Sequence, residues 1–410
     1  LTEARLRLSY GHQGNMVDGQ TPNLLIRQGT MQPIYDGENI STVANLPNPN
    51  LKWEQTAQTN IGWDLGFFDG RLNIGGDFYY KKTTDLFTNV DVSPINGITS
   101  YIMNNGDMTN KGFSISLNGY PVKTKNFRWY MSTYYSVNLN KVQTDDARNY
   151  NLNDYLNGTA VVSGQPISTF YSYKFLGLNP QNGAPMFDDW EDRWHLLQGK
   201  TLDEVVPMIL VNSGTRDPKF SGDLNNTFTY KNWSLSLNFS YSLGSKVRLF
   251  EMYGPIINGI SAAANVREEF LDRWQVPGDE KYTVYPSIIS PSSPDYEHYR
   301  LHYSAPQRAV GPNSGVPAFA NNVWQMYDDS DLRVVSGNYL KLQSLSLSYR
   351  LNDRLLRKTP FTQLSISFNT HNCFTISAKE LRGQDPSQAG FADAGLSIRP
   401  SYTIGLNVSF

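Results

Sequence analysis

Apolar and polar residues alternate one for one along segment after segment of this chain, and that periodicity belongs to strands with one apolar and one polar face. Leu6, Leu8 and Tyr10 alternate with Arg5, Arg7 and Ser9, and Ile61, Trp63, Leu65 and Phe67 with Asn60, Gly62, Asp64 and Gly66. Past Asp69-Gly70, a strong hairpin signal, Leu72, Ile74, Phe78 and Tyr80 alternate with Asn73, Gly75 and Asp77. The pattern returns at Phe113, Ile115 and Leu117, at Phe127 to Leu139, and at Trp233, Leu235, Leu237, Phe239 and Tyr241 against Ser234, Ser236, Asn238 and Ser240. A soluble sandwich alternates too, but its outer face carries many charges. Here the polar partners are mostly Ser, Asn, Thr and Gly, the pattern of a transmembrane barrel whose strands run about 10 residues each.

Composition closes off other classes. The chain of 410 residues holds 25 Tyr, 20 Phe and 8 Trp at a mean hydropathy of -0.45. No stretch reaches the roughly 18 apolar residues of a membrane-spanning helix, so a membrane protein of this composition spans as a closed sheet. A net charge of -2 leaves no electrostatic footprint for nucleic acid. The lone Cys373 excludes an intrachain disulfide framework and a multi-Cys metal site. Leu1 to Tyr10 lacks the pattern of a signal peptide, so the natural N-terminus is expected upstream.

Connections sort into two lengths. Short ones fall at Phe68 to Arg71, Pro121 to Asn126, Asn179 to Ala184, Lys231-Asn232 and Asn352 to Pro360; long ones run through 12–52, 83–100, 141–164, 190–221, 246–337 and 370–398. Barrels of this kind pair short periplasmic turns with long extracellular loops. Strict alternation follows if Tyr171 to Leu178 and Pro185 to Asp189 are wall strands, giving about twelve strands, the first running outward and the C-terminus periplasmic. The loop 246–338 is expected to contain a short helix, Ser261 to Trp274, before Pro277-Gly278. It is also expected to lack a core of its own and to order itself against a partner. In Tyr339 to Leu351, apolar Leu340 and Leu342 are even while Leu345, Leu347 and Tyr349 are odd, which predicts either a bulge near Gln343-Ser344 or leucines facing the interior. Trp129, Tyr130, Tyr134 and Tyr135 suit an aromatic girdle, with Tyr130 and Tyr134 on the inward face beside Ser132 and Ser136.

The last strand ends in Thr403, Gly405, Val408 and Phe410 and resembles the C-terminal signal read by the outer-membrane insertion machinery. Ile61 to Leu86, Asn105 to Tyr120, Gly164 to Asp188, Lys219 to Val247, Arg273 to Asp279 (RWQVPGD) and Ser336 to Leu351 follow in order, and together they resemble the C-terminal half of the SusC/RagA family. The resemblance implies an all-β, transmembrane antiparallel barrel of which this chain is the C-terminal part, within a 22-stranded, plugged whole. It further implies TonB-dependent import of oligosaccharides or peptides with a SusD-like surface lipoprotein as lid, about ten strands, the plug and the TonB-contacting segment being expected on an N-terminal part upstream of this sequence. In that setting the first and last strands pair with missing strands, not with each other.

Candidate substrate contacts are Asp188, Asp189, Trp190, Asp192, Arg193 and Trp194, because Trp faces stack on sugars while carboxylates accept from hydroxyls. Tyr296, Tyr299, Trp324 and Tyr327 suit the interface with the lipoprotein. The acidic run lacks the spacing of a dedicated calcium loop. His298 and His302 have an i, i+4 spacing, but Tyr299 stands where a zinc protease needs Glu, and the Pro-rich tract reads as loop. No metal, cofactor or enzyme activity is expected, since none of the five histidines sits in a catalytic motif. Two other functions fit a barrel: a passive porin, and a scaffold of a secretion or assembly complex.

Overall fold

The structure is a computed structural model that describes all residues except 17–22, 32–38, 94, 96, 99, 145–149, 189, 198, 201, 257–264, 289–291, 294–295, 302–308, 311–315, 318–321, 358, 388–398 and 410. A single antiparallel sheet of ten strands runs through the chain in sequence order. Its strands are β1 (Glu3–Asn15), β2 (Glu54–Phe67), β3 (Leu72–Thr84), β4 (Asp107–Lys123), β5 (Phe127–Gln143), β6 (Phe220–Tyr230), β7 (Trp233–Leu243), β8 (Tyr339–Arg350), β9 (Gln363–Ser377) and β10 (Ser401–Ser409). β1 and β10 each bond one neighbour and not each other, and β1 is exposed along its whole length.

Register turns the alternation into continuous rows. Leu8, Ile61, Phe78, Phe113, Val137, Phe220 and Leu243 are successive cross-strand partners. One residue on, Arg7, Gly62, Asp77, Ser114, Ser136, Ser221 and Ser242 form the matching polar row. Phe78, Phe113, Phe220 and Leu243 of the apolar row are exposed although they lie on inner strands, as residues of a lipid-facing surface are. Rings reinforce it across strands: Tyr135 stacks on Phe220 at 5.9 Å and Trp129 on Phe228 at 5.7 Å. On the polar face Arg7 forms ion pairs with Asp64 and Asp77, room for its guanidinium being left by Gly62. Tyr134 lies in a polar row with Asp64 and Asp223, the inward placement read from the sequence. No helix among the described residues is long and apolar enough to cross a membrane.

The parity break in β8 is a bulge. Asn238 pairs with Ser344 but Phe239 with Leu342, so Gln343 is the extra residue. It returns Leu340 and Leu342 to the same face as Leu345 and Leu347, and Gln343 Nε2 donates to Ser240 Oγ at 2.8 Å.

The strand count differs from the expected twelve. Thr169–Tyr173 pairs with Leu210–Thr215, and Phe175–Leu178 with Pro185–Phe187, in two small sheets outside the wall. Segments of 5 and 4 residues are too short to span, since a crossing strand needs about 9–11. Thr169–Tyr173 is also buried at every position instead of at alternate ones. The two long loops expected at 141–164 and 190–221 are therefore one, running from 144 to 219 between β5 and β6. Short and long connections still alternate strictly along the ten strands.

Candidate functional site

All the long loops leave the same end of the sheet, and the two longest, 144–219 and 244–338, share one apolar core. The first contributes a helix, Leu152–Asn157, closed at its start by a reciprocal cap between Asn151 and Asp154 and at its end by Gly158 in the left-handed region. Tyr155, Leu156, Tyr171, Tyr173, Phe187, Val205 and Val206 face Met252, Tyr253, Phe270, Val323, Trp324 and Tyr327 of the second. Burying so many large side chains, at roughly 2 kcal/mol each, gives the two loops a common core. The expectation that loop 246–338 lacks a core is thereby corrected: the neighbouring loop supplies it.

Charges are built into that core. Asp328, 2% exposed, accepts the N–H groups of Met252, Tyr253 and Gly254, each at 2.8 Å. Arg333 is equally enclosed and donates to the Phe250 carbonyl at 2.6 Å, with Glu269 at 3.9 Å. Burial pushes the Asp328 carboxyl up to about 6 against the pull of Arg333 and those three N–H groups. Burial likewise pushes Asp329 up to about 6, opposed by Arg248. Arg248, whose own pKa is lowered by burial, leaves the second loop to donate to the Tyr171 carbonyl at 2.7 Å, Ser172 Oγ at 3.0 Å and the Leu156 carbonyl at 3.3 Å. One guanidinium thus sews the two loops together.

The expected substrate residues are arranged differently from the reading that chose them. Trp190 is 8% exposed, belongs to the shared core and carries the Arg193 guanidinium over its ring at 4.2 Å. Both Asp188 oxygens are engaged by Arg193, at 2.6 and 2.5 Å, and Oδ1 also takes the Trp190 N–H at 3.2 Å. A sugar cannot stack on a ring already enclosed on both sides. Asp192 is exposed on the 3-10 turn Glu191–Leu196; Asp189 and the side chain of Trp194 lie outside the described residues.

The residues assigned to the lipoprotein contact are also turned inward. Tyr327 is 0% exposed, and Trp324, 3% exposed, donates from Nε1 to the Ser287 carbonyl at 3.1 Å. Tyr296 is buried against Trp324. Tyr299 Oη accepts from Asn182 Nδ2 at 2.8 Å and Asn179 Nδ2 at 3.2 Å, pinning the turn that was read as periplasmic. In that turn Gly183 has φ +69° and lies under the Trp274 indole, where a β-carbon would collide. These four residues build the loop unit itself and are not carried further as partner contacts.

Elsewhere the tract around the histidines is helical over Tyr296–Leu301, against expectation, with His298 edge-on to Tyr299; His302 lies outside the described residues. Within Ser261 to Trp274 the described helix is a 3-10 turn, Glu268–Asp272, and residues 261–264 lie outside the described residues. Thr403, Gly405 and Val408 lie in β10, paired with Asn369, Ser367 and Leu364, and Phe410 is outside the described residues.

One opening missed by the sequence reading lies between the two long loops, within the loop unit. It is a cleft of about 350 Å³ lined by Asn157, Phe170, Arg216, Arg248, Glu251 and Asp329 among others, within the range of small-ligand sites. The Arg216 and Arg248 guanidinium groups approach the Phe170 ring at 5.8 and 5.5 Å. These residues are 30 or more positions apart in pairs, so no local motif announces them. At the opposite end the polar wall face forms a groove of about 620 Å³ lined by Lys231, Ser234, Ser348, Arg350, Ser365 and Asn407 among others. Among the described residues no group of three or more His, Cys, Asp or Glu is placed to hold a metal. The arrangement offers a polar wall face and a loop-built cap with an arginine-lined cleft between its two loops.

TonB-dependent receptor P3 of Formosa agariphila is 24% identical over all of this chain, which covers 40% of that protein. SusC of Bacteroides thetaiotaomicron is 28% identical over 276 residues, 63% of this chain and 26% of that protein. The solved RagAB peptide transporter matches 99% of the chain and 41% of its own, with a TM-score of 0.73 at 21% identity, a likeness of fold. The chain thus spans about 40% of the length of the relatives that cover it fully. The family model for the TonB dependent receptor-like β-barrel matches residues 3–267, and the chain belongs to that family.

Proposed function

We propose that the protein of which this chain is part imports a nutrient across the bacterial outer membrane, driven by TonB and assisted by a SusD-like surface lipoprotein. The observation that carries the reading is the pairing of an open ten-stranded wall, polar on one face, with a loop unit at one end whose two longest loops share an apolar core. A wall of that kind lines a passage, and a rigid cap beside its mouth gives a partner something preorganised to close against. The proposed work is transport and not bond making. Oligosaccharides or short peptides are the proposed cargo, held by the arginine-lined cleft and the polar wall. The exposed apolar residues Leu271, Val276 and Tyr282 on the cap replace the buried aromatics as the proposed contact with the lipoprotein. Outer-membrane lipid covers the apolar face, and the short turns and the C-terminus face the periplasm.

The test uses the full-length protein in its own cells. Deleting its gene should abolish uptake of one oligosaccharide or peptide pool, and de-energising the inner membrane should do the same. Uptake that persists without TonB would make it a porin; no transport defect, with loss of another complex from the membrane, would make it a scaffold.

A further inference from the structure

Lys341 is a cation in the wall that the wall does not explain. It occupies β8 opposite Ser240 and Thr375, in the polar row that also holds Asp64, Tyr134 and Asp223. A lysine on that face should reach into the passage, yet it is 4% exposed. What covers it is the segment that follows β9. Asp385 of that segment, itself buried, places Oδ2 2.9 Å from Lys341 Nζ, and its Oδ1 accepts the Ser387 N–H at 2.9 Å and the Ser387 hydroxyl at 2.6 Å.

The segment is held at two further points. Leu381 is packed with Val247, Leu249 and Val335 at the foot of the second long loop. Arg382, left-handed at φ +45° and followed by Gly383 at +86°, reaches Asp272 at 3.0 Å and Glu268 at 3.9 Å on the loop unit. Residues 378–387 therefore run from the interior wall to the cap as a strap. One feature works against that placement. Gln384 is 9% exposed, and neither its amide nitrogen nor its amide oxygen has a partner among the described residues. An enclosed, unpaired carboxamide gives up its water and receives nothing in return, so opening the strap restores what closing it costs. A fully enclosed ion pair pulls the other way, because separating its members inside the protein strands two charges.

We propose that residues 378–387 are a gate strap over the interior face of the wall, latched shut by Lys341–Asp385 and biased toward opening by Gln384, and that it swings away when cargo passes. The latch rests on the structure alone; the gating rests on the import reading above.

The two parts separate in experiment. Full-length protein carrying Cys373→Ser is reconstituted in lipid vesicles, and hydrogen exchange is followed over residues 379–387, where the Leu381 and Gln384 amides bond to Ala378 and Leu381 carbonyls. Asp385→Asn should speed exchange there by about 10-fold or more, and Gln384→Met should slow it by about 5-fold or more, with β8 and β9 unchanged in both. No change, or slower exchange, in the Asp385→Asn protein would overturn the latch, and no change, or faster exchange, in the Gln384→Met protein would overturn the opening bias even if Asp385→Asn fails to insert. For gating, Lys341→Cys with Asp385→Cys is bridged by a short thiol crosslinker in cells. Cargo uptake should fall at least about 10-fold on crosslinking while either single cysteine treated alike keeps its rate. Undiminished uptake in the crosslinked protein would overturn the gate and leave the latch standing. If the uncrosslinked protein imports nothing, the import reading fails, and the gate with it, while the exchange result still decides the latch.

Discussion

The wall and the loop unit are made of the same residue types and hold themselves together by different rules. In the wall, each side chain's facing follows from its parity, and a row such as Leu8, Ile61, Phe78 and Phe113 repeats the same choice strand after strand. In the loop unit, facing follows from contacts between positions far apart, as when Asp328 caps the N–H groups at 252–254 or Arg248 reaches back to Tyr171. A local rule tolerates a local error; a network of single-copy contacts does not. Substitutions should therefore do graded damage in the wall and all-or-none damage in the cap.

The sharpest attempt to break that contrast is Asp328→Ala. It removes the acceptor of three N–H groups and leaves Arg333 enclosed, so the cap should lose about 3–5 kcal/mol while the barrel still inserts. Limited proteolysis of intact membranes would show cleavage within 150–210 and 246–330; an intact cap would contradict the shared core. Next comes Leu237→Arg, expected to cost about 2–4 kcal/mol if the residue lies near the midplane, where Asn238→Arg on the other face should be tolerated. Equal amounts of folded barrel for the two would refute the facing.

A subtler probe is pH. The Asp328 and Asp329 carboxyls are pushed up to about 6 by burial, above the usual carboxylate value near 4. A raised folded-state pKa means that the folded cap binds more protons than the unfolded one between those values. These groups therefore favour the cap fully below about pH 4, and that contribution is lost as pH rises through about 6. Cap opening, measured by proteolysis from pH 4.5 to 7.5, should become easier with rising pH, and Asp328→Asn should flatten the slope; a slope of opposite sign would contradict the assignment. The smallest effect is expected for Arg193→Ala. It uncovers the Trp190 ring and frees Asp188, costing the cap about 0.5–2 kcal/mol, read as a small shift in the midpoint of cap proteolysis.

The same contrast explains what could be read in the chain beforehand. All ten wall strands are written in period two, because a residue on the wrong face would meet the wrong solvent; the slip near Gln343-Ser344 shows there only as a change of parity, which inward-facing leucines would also produce. The segment Tyr171 to Asp189 was misassigned because its apolar residues imitate a wall hairpin, while the burial of its other face comes from helices that lie elsewhere in the chain. Trp190, Tyr296, Trp324 and Tyr327 were chosen as contacts because loop aromatics usually meet ligands. Nothing local reveals that two loops exchange them as a core. The Arg216 and Arg248 cleft stayed hidden for the same reason, its lining drawn from five separate stretches of chain.

The central claim is that facing in the wall is set by register, including its reversal at one residue. A cysteine scan of Trp233–Leu243 and Tyr339–Arg350 in the Cys373→Ser protein, spin-labelled in bilayers and probed with lipid-soluble oxygen against a water-soluble paramagnet, tests it residue by residue. Odd positions should be lipid-exposed throughout β7. In β8 they should be so at 345, 347 and 349, with the pattern changing to the even position 340, Leu342 being buried on that same face. A pattern that runs through Gln343 without reversing, or shows no alternation in either strand, would contradict the register and the facing derived from it.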